Sequence, residues 1–80
     1  MDNVSKFVAS LPEKDRLRII ETLAFIRGGQ TSGLDIKKLK GYADIFRVRV
    51  GKYRIICRKQ EPYRFIIIKV THRNDTTYNF

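Results

Sequence analysis

Three arginines surround a glycine-containing turn in the segment Arg47-Val48-Arg49-Val50-Gly51-Lys52-Tyr53-Arg54. A fourth closes the apolar run Val70-Thr71-His72-Arg73. Arginine is the side chain best shaped to hold a phosphate, being planar, permanently charged and able to donate two parallel hydrogen bonds. Gly51-Lys52 is a Gly-X pair suited to a two-residue type II′ hairpin turn. That turn sets Val50 opposite Tyr53, Val48 opposite Ile55 and Phe46 opposite Cys57, all on one apolar face. On the other face Arg49 opposes Arg54, Arg47 opposes Ile56 and Ile45 opposes Arg58. Like charges directly opposite on neighbouring strands are destabilising, so a sequence selected only for stability would not set Arg49 across from Arg54. An anion bound between them relieves the repulsion. The same alternation along Arg64–His72 assigns Ile66, Ile68 and Val70 to the apolar face, and Phe65, Ile67, Lys69, Thr71 and Arg73 to the arginine face. The cations share one sign and no carboxylate balances them, which favours a phosphate-binding surface over an ordinary solvated sheet face. The assignment rests on the register, because a slip of one residue moves every side chain to the opposite face.

The chemistry open to such a surface is narrow. One histidine and one cysteine cannot build a metal-ligand set. Gly28-Gly29 and Gly33 lack the pattern and strand context of a phosphate-cradling loop. What fits is RNA cleavage by internal transphosphorylation, in which the RNA supplies its own nucleophile, the 2′-hydroxyl. The protein must then position the phosphodiester, stabilise charge on the pentacoordinate phosphorus and move protons. Arginine does the first two and is a poor base, since guanidinium stays protonated. The proton carrier is therefore His72 or a tyrosine, and Tyr78, shortly after Arg73, is the best placed by sequence. Neighbouring cations would lower its ionisation from the usual value near pH 10. His72 adjoins Arg73 but falls on the opposite parity of the strand. Cys57 falls on the apolar face and reads as a small buried hydrophobe rather than a nucleophile.

The elements that must position these groups follow from the apolar periods. Val4, Phe7, Val8 and Leu11 recur at i, i+3, i+4 and i+7, one stripe of a helix that Asp2 or Asn3 can cap. Ser10-Leu11-Pro12-Glu13 has the form of a capping box for a second helix. Leu17, Ile20, Leu23 and Ala24 give that helix its stripe, widened by Ile19, Phe25 and Ile26, and Gly28-Gly29 ends it. The two helices form a hairpin with one shared apolar face. Residues 34–40 are basic and mildly helical, closed by Gly41. The period then becomes two, giving strands over Ile45–Val50, residues 53–58 and Arg64–His72, with a loop through Gln60-Glu61-Pro62-Tyr63. Asp75-Thr76-Thr77 reads as a turn before Tyr78-Asn79-Phe80. Helices first and antiparallel strands after is an α+β pattern: a helical hairpin packed on a sheet of three to four strands.

Eighty residues, 42% of them hydrophobic, make a single domain, 1–80, with a small core. The net charge of +9 is one-sided. Residues 1–35 balance five basic groups with five acidic ones, and residues 36–80 set twelve against three. Such a surface steers polyanions, nucleic acid first among them. No apolar run approaches the roughly 20 residues of a membrane span, and the start lacks the marks of a signal peptide, so the chain reads as cytoplasmic with no membrane partner.

Taken together, Leu39-Lys40-Gly41, the segment from Phe46 to Ile56, Val70-Thr71-His72-Arg73-Asn74-Asp75 and the following Tyr78 resemble the RelE/ParE superfamily of bacterial toxins. Phe7-Val8-Ala9-Ser10-Leu11-Pro12 resembles the start of that family's helical hairpin. The resemblance covers nearly the whole chain. It implies the toxin of a type II toxin–antitoxin system, of the RelE-like branch: an mRNA interferase, a ribosome-dependent endoribonuclease that blocks translation by cutting codons in the ribosomal A site. It implies no cofactor and no metal, and as partners a cognate antitoxin, the ribosome and mRNA. The family's basic pair on the first strand of the meander matches Arg47 and Arg49. Its arginine after the hairpin turn matches Arg54, the one at the end of the last long strand matches Arg73, and its C-terminal tyrosine matches Tyr78. Lys37, Lys38, Lys40, Lys52, Arg58 and Lys69 are then expected to contact RNA. Family members usually open with a strand ahead of the first helix, which residues 1–3 are too few to supply. Two other functions suit the same fold: a ParE-like gyrase inhibitor, and a non-catalytic RNA-binding module or inactivated toxin. Relatives of the gyrase-inhibiting kind generally lack the full arginine and tyrosine set.

Overall fold

A computed structural model describes residues 3–60 and 64–72. Two helices, α1 (Asn3–Ala9) and α2 (Glu13–Arg27), precede four strands: β1 (Asp35–Lys38), β2 (Ile45–Val50), β3 (Tyr53–Gln60) and β4 (Arg64–His72). The strands form one antiparallel sheet in the order β1-β2-β3-β4. The α+β architecture expected from the sequence is the one observed. No helix among the described residues is long and apolar enough to cross a membrane.

The core lies between the helices and one face of the sheet. Val8 and Leu11 come from the first helical segment and its exit, Ile19, Leu23 and Ile26 from α2, Val48 and Val50 from β2, Tyr53, Ile55 and Cys57 from β3, and Val70 from β4. Burying a side chain such as Ile19 or Ile55 contributes about 1.5–3 kcal/mol, so this small set carries most of the stability.

Four local readings are corrected. Ser10-Leu11-Pro12-Glu13 is not a capping box: Pro12 is the N-cap, with no side-chain cap bond, and Glu13 is the first helical residue. The Ser10 hydroxyl instead donates back to the Phe7 carbonyl at 2.6 Å and finishes α1. Second, Leu17 and Ile20 are 58% and 49% exposed, and Ala24 and Phe25 are exposed as well. The buried stripe is Ile19, Thr22, Leu23 and Ile26. Apolar residues surround much of α2, so periodicity offered two stripes, and only one faces the sheet. The helix ends as expected. Gln30 N–H donates to Phe25 O and Gly29 N–H to Ile26 O, with Gly29 at φ 74 supplying the left-handed residue that such an ending requires.

Third, residues 34–40 hold strand β1 rather than helix. Asp35↔Arg49, Ile36↔Val48, Lys37↔Arg47 and Lys38↔Phe46 pair in register. A segment this short cannot nucleate a helix alone, whereas β2 supplies a ready ladder. Fourth, β4 contains a bulge. Ile56 pairs with Lys69 but Cys57 pairs with Ile67, which leaves Ile68 as the extra residue. Parity inverts there, so Phe65 and Ile67 pack against the core and Ile66 turns outward, 42% exposed.

The β2–β3 hairpin has the expected register at all six positions, from Val50↔Tyr53 to Ile45↔Arg58. Gly51 has φ 57 and no described non-glycine residue has positive φ, in keeping with a type II′ turn. A Cβ at Gly51 would also stand 3.1 Å from Arg18 Nη1.

Candidate functional site

On the sheet face away from the helices, cross-strand partners form two rungs that span all four strands. One reads Asp35, Arg49, Arg54, Thr71, and the next reads Lys37, Arg47, Ile56, Lys69. A shorter third rung holds Ile45, Arg58 and Ile66. The site is thus built by period-two alternation on four strands, held in phase by the Gly51-Lys52 turn. Arg49 is exposed, while Arg47, Arg54 and Lys69 are half-buried.

Ile45 and Ile56 are almost fully buried on this same face and lie outside the main core cluster. Each is the direct cross-strand neighbour of an arginine, Arg58 and Arg47 respectively. Arginine stems can lie over such apolar ground while their heads reach solvent. Backbone bonds from Leu39 N–H to Ile45 O and from Lys59 N–H to Asp44 O tie the β1–β2 connection down beside them.

The sequence reading placed no carboxylate on this face, and here it is corrected. Asp35 stands directly opposite Arg49, and its Oδ1 lies 3.5 Å from Arg47 Nη1. Arg47 Nη1 is buried and makes no hydrogen bond, so this ion pair does not saturate it. Asp44 Oδ2 lies 3.4 Å from Arg58 Nε. Asp35 reaches the arginines only through the pairing of β1 with β2, and the short basic segment 34–40 carries no strand period of its own that would signal this. The Arg58–Asp44 pair is exposed at both ends and contributes little, about 0–1 kcal/mol, while the Arg47–Asp35 pair is solvated at its carboxylate end alone. They temper the charge without cancelling it, since Arg49, Arg54, Lys37 and Lys69 occupy the same two rungs.

Of the expected site residues, Arg47, Arg49 and Arg54 come together here. Lys37, Arg58 and Lys69 share the face. Lys38, opposite Phe46, falls on the other parity, and Lys40 is exposed in the β1–β2 connection. Lys52 sits at the hairpin turn with its Nζ 3.8 Å from Asp15 Oδ2. His72 is paired with Tyr53 on the helix-facing side. Its ring centroid is 5.4 Å from that of Tyr53 and 5.5 Å from that of Phe7, so the sheet separates it from the arginines. Arg73 and Tyr78 lie outside the described residues.

Two titratable groups on the helix side are displaced from their usual values. The Tyr53 hydroxyl donates to Asp15 Oδ2 at 2.7 Å, and this bond, with burial and the carboxylate's charge, raises its pKa above the usual 10.0. Burial pushes the Cys57 thiol up to about 11. Its Sγ is 3.7 Å from Phe46 O. A thiol held protonated in this way is inert as a nucleophile. Among the described residues no three His, Cys, Asp or Glu side chains are grouped to share a metal ion.

No protein-family model matches the chain, and neither does any curated protein. Solved structures do match. The chain is similar to one in the RelB–RelE antitoxin–toxin complex of Methanococcus jannaschii, with 31% identity and a TM-score of 0.73 over 91% of this chain and 87% of that one. It is similar also to a chain of the archaeal RelE–RelB complex of Pyrococcus horikoshii OT3, with 26% identity and a TM-score of 0.73 over 92% and 90%.

Proposed function

The chain belongs to the RelE toxin family, and we propose that it is the toxin of a type II toxin–antitoxin pair that cuts mRNA within the ribosome, as a metal-free endoribonuclease. One observation carries this reading: Arg49 and Arg54 directly oppose each other on the open face, with Arg47 on the adjacent rung. That arrangement costs stability when empty and suits a phosphodiester when filled.

In the proposed reaction the 2′-oxygen attacks phosphorus and the bond from phosphorus to the 5′-oxygen breaks. The products are a 2′,3′-cyclic phosphate and a free 5′-hydroxyl. The proton lost by the 2′-hydroxyl is balanced by one gained at the 5′-oxygen. Arg49 and Arg54 hold the non-bridging oxygens, where charge grows in the transition state, and Arg47 supports them from the next rung. Phosphate displaces Asp35 as the neighbour of Arg47 and Arg49. Arginine cannot carry the protons, and that role falls to Tyr78, with Arg73 beside it as a further phosphate contact; His72, on the helix-facing side of the sheet, is the poorer candidate. Lys37, Lys69 and Arg58 continue the cationic face along the RNA backbone, with Lys38, Lys40 and Lys52 at its margins. An open sheet face excludes little water, so the ribosome supplies the closed surroundings and holds the codon in line. The antitoxin is the protein partner of the resting state, as RelB is in the two complexes the chain resembles.

The test is cleavage of mRNA on programmed ribosomes, with cut sites mapped by primer extension. A-site cuts by the wild-type protein, lost in Arg54→Ala, are expected. Absence of such cuts, or cuts unchanged by Arg54→Ala, overturns the reading, and inhibition of gyrase supercoiling in their place would favour the ParE-like alternative.

A further inference from the structure

The proposed cleavage moves two protons at two places. One leaves the 2′-oxygen as it attacks, and one reaches the 5′-oxygen as it departs on the opposite side of phosphorus. A single phenol cannot stand at both, so Tyr78 needs a counterpart. The rung that holds the facing pair Arg49 and Arg54 begins at Asp35 on β1. Asp35 directly opposes Arg49, and its Oδ1 lies 3.5 Å from Arg47 Nη1. The contact is lopsided: the Arg47 side chain is 15% exposed and that of Asp35 59%. The guanidinium is anchored in the face, while the carboxylate stands open to whatever binds there. Among the described residues the other proton acceptors lie elsewhere. Asp44 pairs with Arg58, four residues along β3 from Arg54 and about 13 Å away at the rise of a strand. Tyr53, Cys57 and His72 are on the helix-facing side.

We propose that Asp35 is the general base of the cleavage, the group that takes the proton of the 2′-hydroxyl. This deepens the nuclease reading and rests on it. Before substrate arrives, Arg47 and Arg49 hold the carboxylate at the site by opposite charge. An incoming phosphate draws both guanidinium groups onto its own oxygens and leaves the carboxylate on its β1 side. There an Asp35 Oδ accepts the proton as the bond from the 2′-oxygen to phosphorus forms. The bond from phosphorus to the 5′-oxygen breaks, and that oxygen takes a proton from Tyr78. Asp35 ends neutral and Tyr78 ionised, and solvent water carries the proton back from one to the other. The ion pair thus has two states: with the site empty it tempers the arginines, and with the site filled it releases a base beside the nucleophile.

The experiment is single-turnover cleavage on programmed ribosomes with two mRNAs, one natural and one with sulfur in place of the 5′-oxygen at the scissile linkage. Sulfur departs as a thiolate and needs no proton, so it rescues loss of the acid and not loss of the base. Asp35→Asn should slow cleavage of both mRNAs about 100-fold or more. Its binding to ribosomes that carry a 2′-deoxy A-site codon should be unchanged or tighter, since a negative charge has gone. Asp35→Glu, which keeps a carboxylate, should retain more of the rate than Asp35→Asn. Tyr78→Phe should be slow on the natural mRNA and restored on the sulfur one. Asp44→Asn, which removes the same charge from the far rung, should cut at the wild-type rate. Cleavage by Asp35→Asn at or above the wild-type rate would mean that the carboxylate only tempers charge, and would overturn the proposal while the nuclease reading stands. So would a loss that sulfur rescues, a loss matched by Asp44→Asn, or one accounted for by weaker binding. If the wild-type protein makes no A-site cuts, the nuclease reading itself falls and this inference falls with it.

Discussion

The helix-facing side of β2 and β3 carries Val48, Val50, Tyr53, Ile55 and Cys57, all buried, while the open side of the same strands carries Arg47, Arg49, Arg54 and Arg58. The residues alternate one by one, so a single stretch of sequence meets two opposed demands. Each large apolar side chain on the inner face stabilises by about 1.5–3 kcal/mol. Each like-charge confrontation on the outer face costs about 0.2–1 kcal/mol. The inner face therefore holds the outer one in an arrangement it would not adopt alone. The lesson is one of magnitude: a repulsive cationic rung is affordable in so small a protein because it is backed, residue for residue, by a dry core.

The largest effect should come from breaking the inner face. Ile55→Ala removes a fully buried side chain at the centre of the sheet and should cost about 2–5 kcal/mol, read by urea denaturation. Cleavage by whatever remains folded should be unchanged. Arg54→Ala is the converse. It should lower the single-turnover cleavage rate on ribosomes about 100-fold or more, the scale of one transition-state contact, while the urea midpoint falls far less than in Ile55→Ala. A parallel loss of stability would show that the two faces are not separable.

The faces should also part in alkali. Tyr53 and Cys57 both ionise at higher pH in the folded protein than in the unfolded chain. Their contribution is fully present below their unfolded values and is lost as pH rises through the folded ones, because the unfolded chain gives up its protons first. For Cys57 the window opens at 9.0 and closes at about 11, and the loss across it should be about 2–3 kcal/mol. Cys57→Ala should flatten urea midpoints measured across that window. Arginines do not titrate there, so Arg49→Thr should leave the slope intact. The smallest effect belongs to that last substitution at neutral pH. By removing the Arg49–Arg54 confrontation it should raise stability by about 0.2–1 kcal/mol, a gain that added sulfate erases by stabilising the wild type.

The hairpin register and its arginine face were legible because a two-residue turn fixes which residues oppose which. Half of β4 was legible for the same reason, with Lys69 and Thr71 falling where alternation puts them. The other half was not. A bulge leaves no mark in a run of three isoleucines, and it exchanges the roles of Ile66 and Ile67. β1 escaped notice because its strand character comes from β2, not from its own residues, and Asp35 was overlooked with it. In α2 the choice between the Ile19–Leu23–Ile26 and Leu17–Ile20–Ala24 stripes is made by the sheet, which the helix sequence does not contain. Among the site residues the signal was strongest where chemistry and register coincided, at Arg47, Arg49 and Arg54. It was weakest for the acidic partners, whose effect depends on non-local pairing.

The extra residue in β4 has a consequence for how such a chain can change over generations. Deleting Ile68 would make Ile67 and Lys69 consecutive and leave every other partner of β3 where it is. A one-residue deletion within a strand ordinarily turns half of that strand inside out. At this one position it would merely straighten the strand. Related chains can therefore differ in length by a single residue in the middle of their longest strand, keep both surfaces of the sheet, and alter only how sharply its end is twisted.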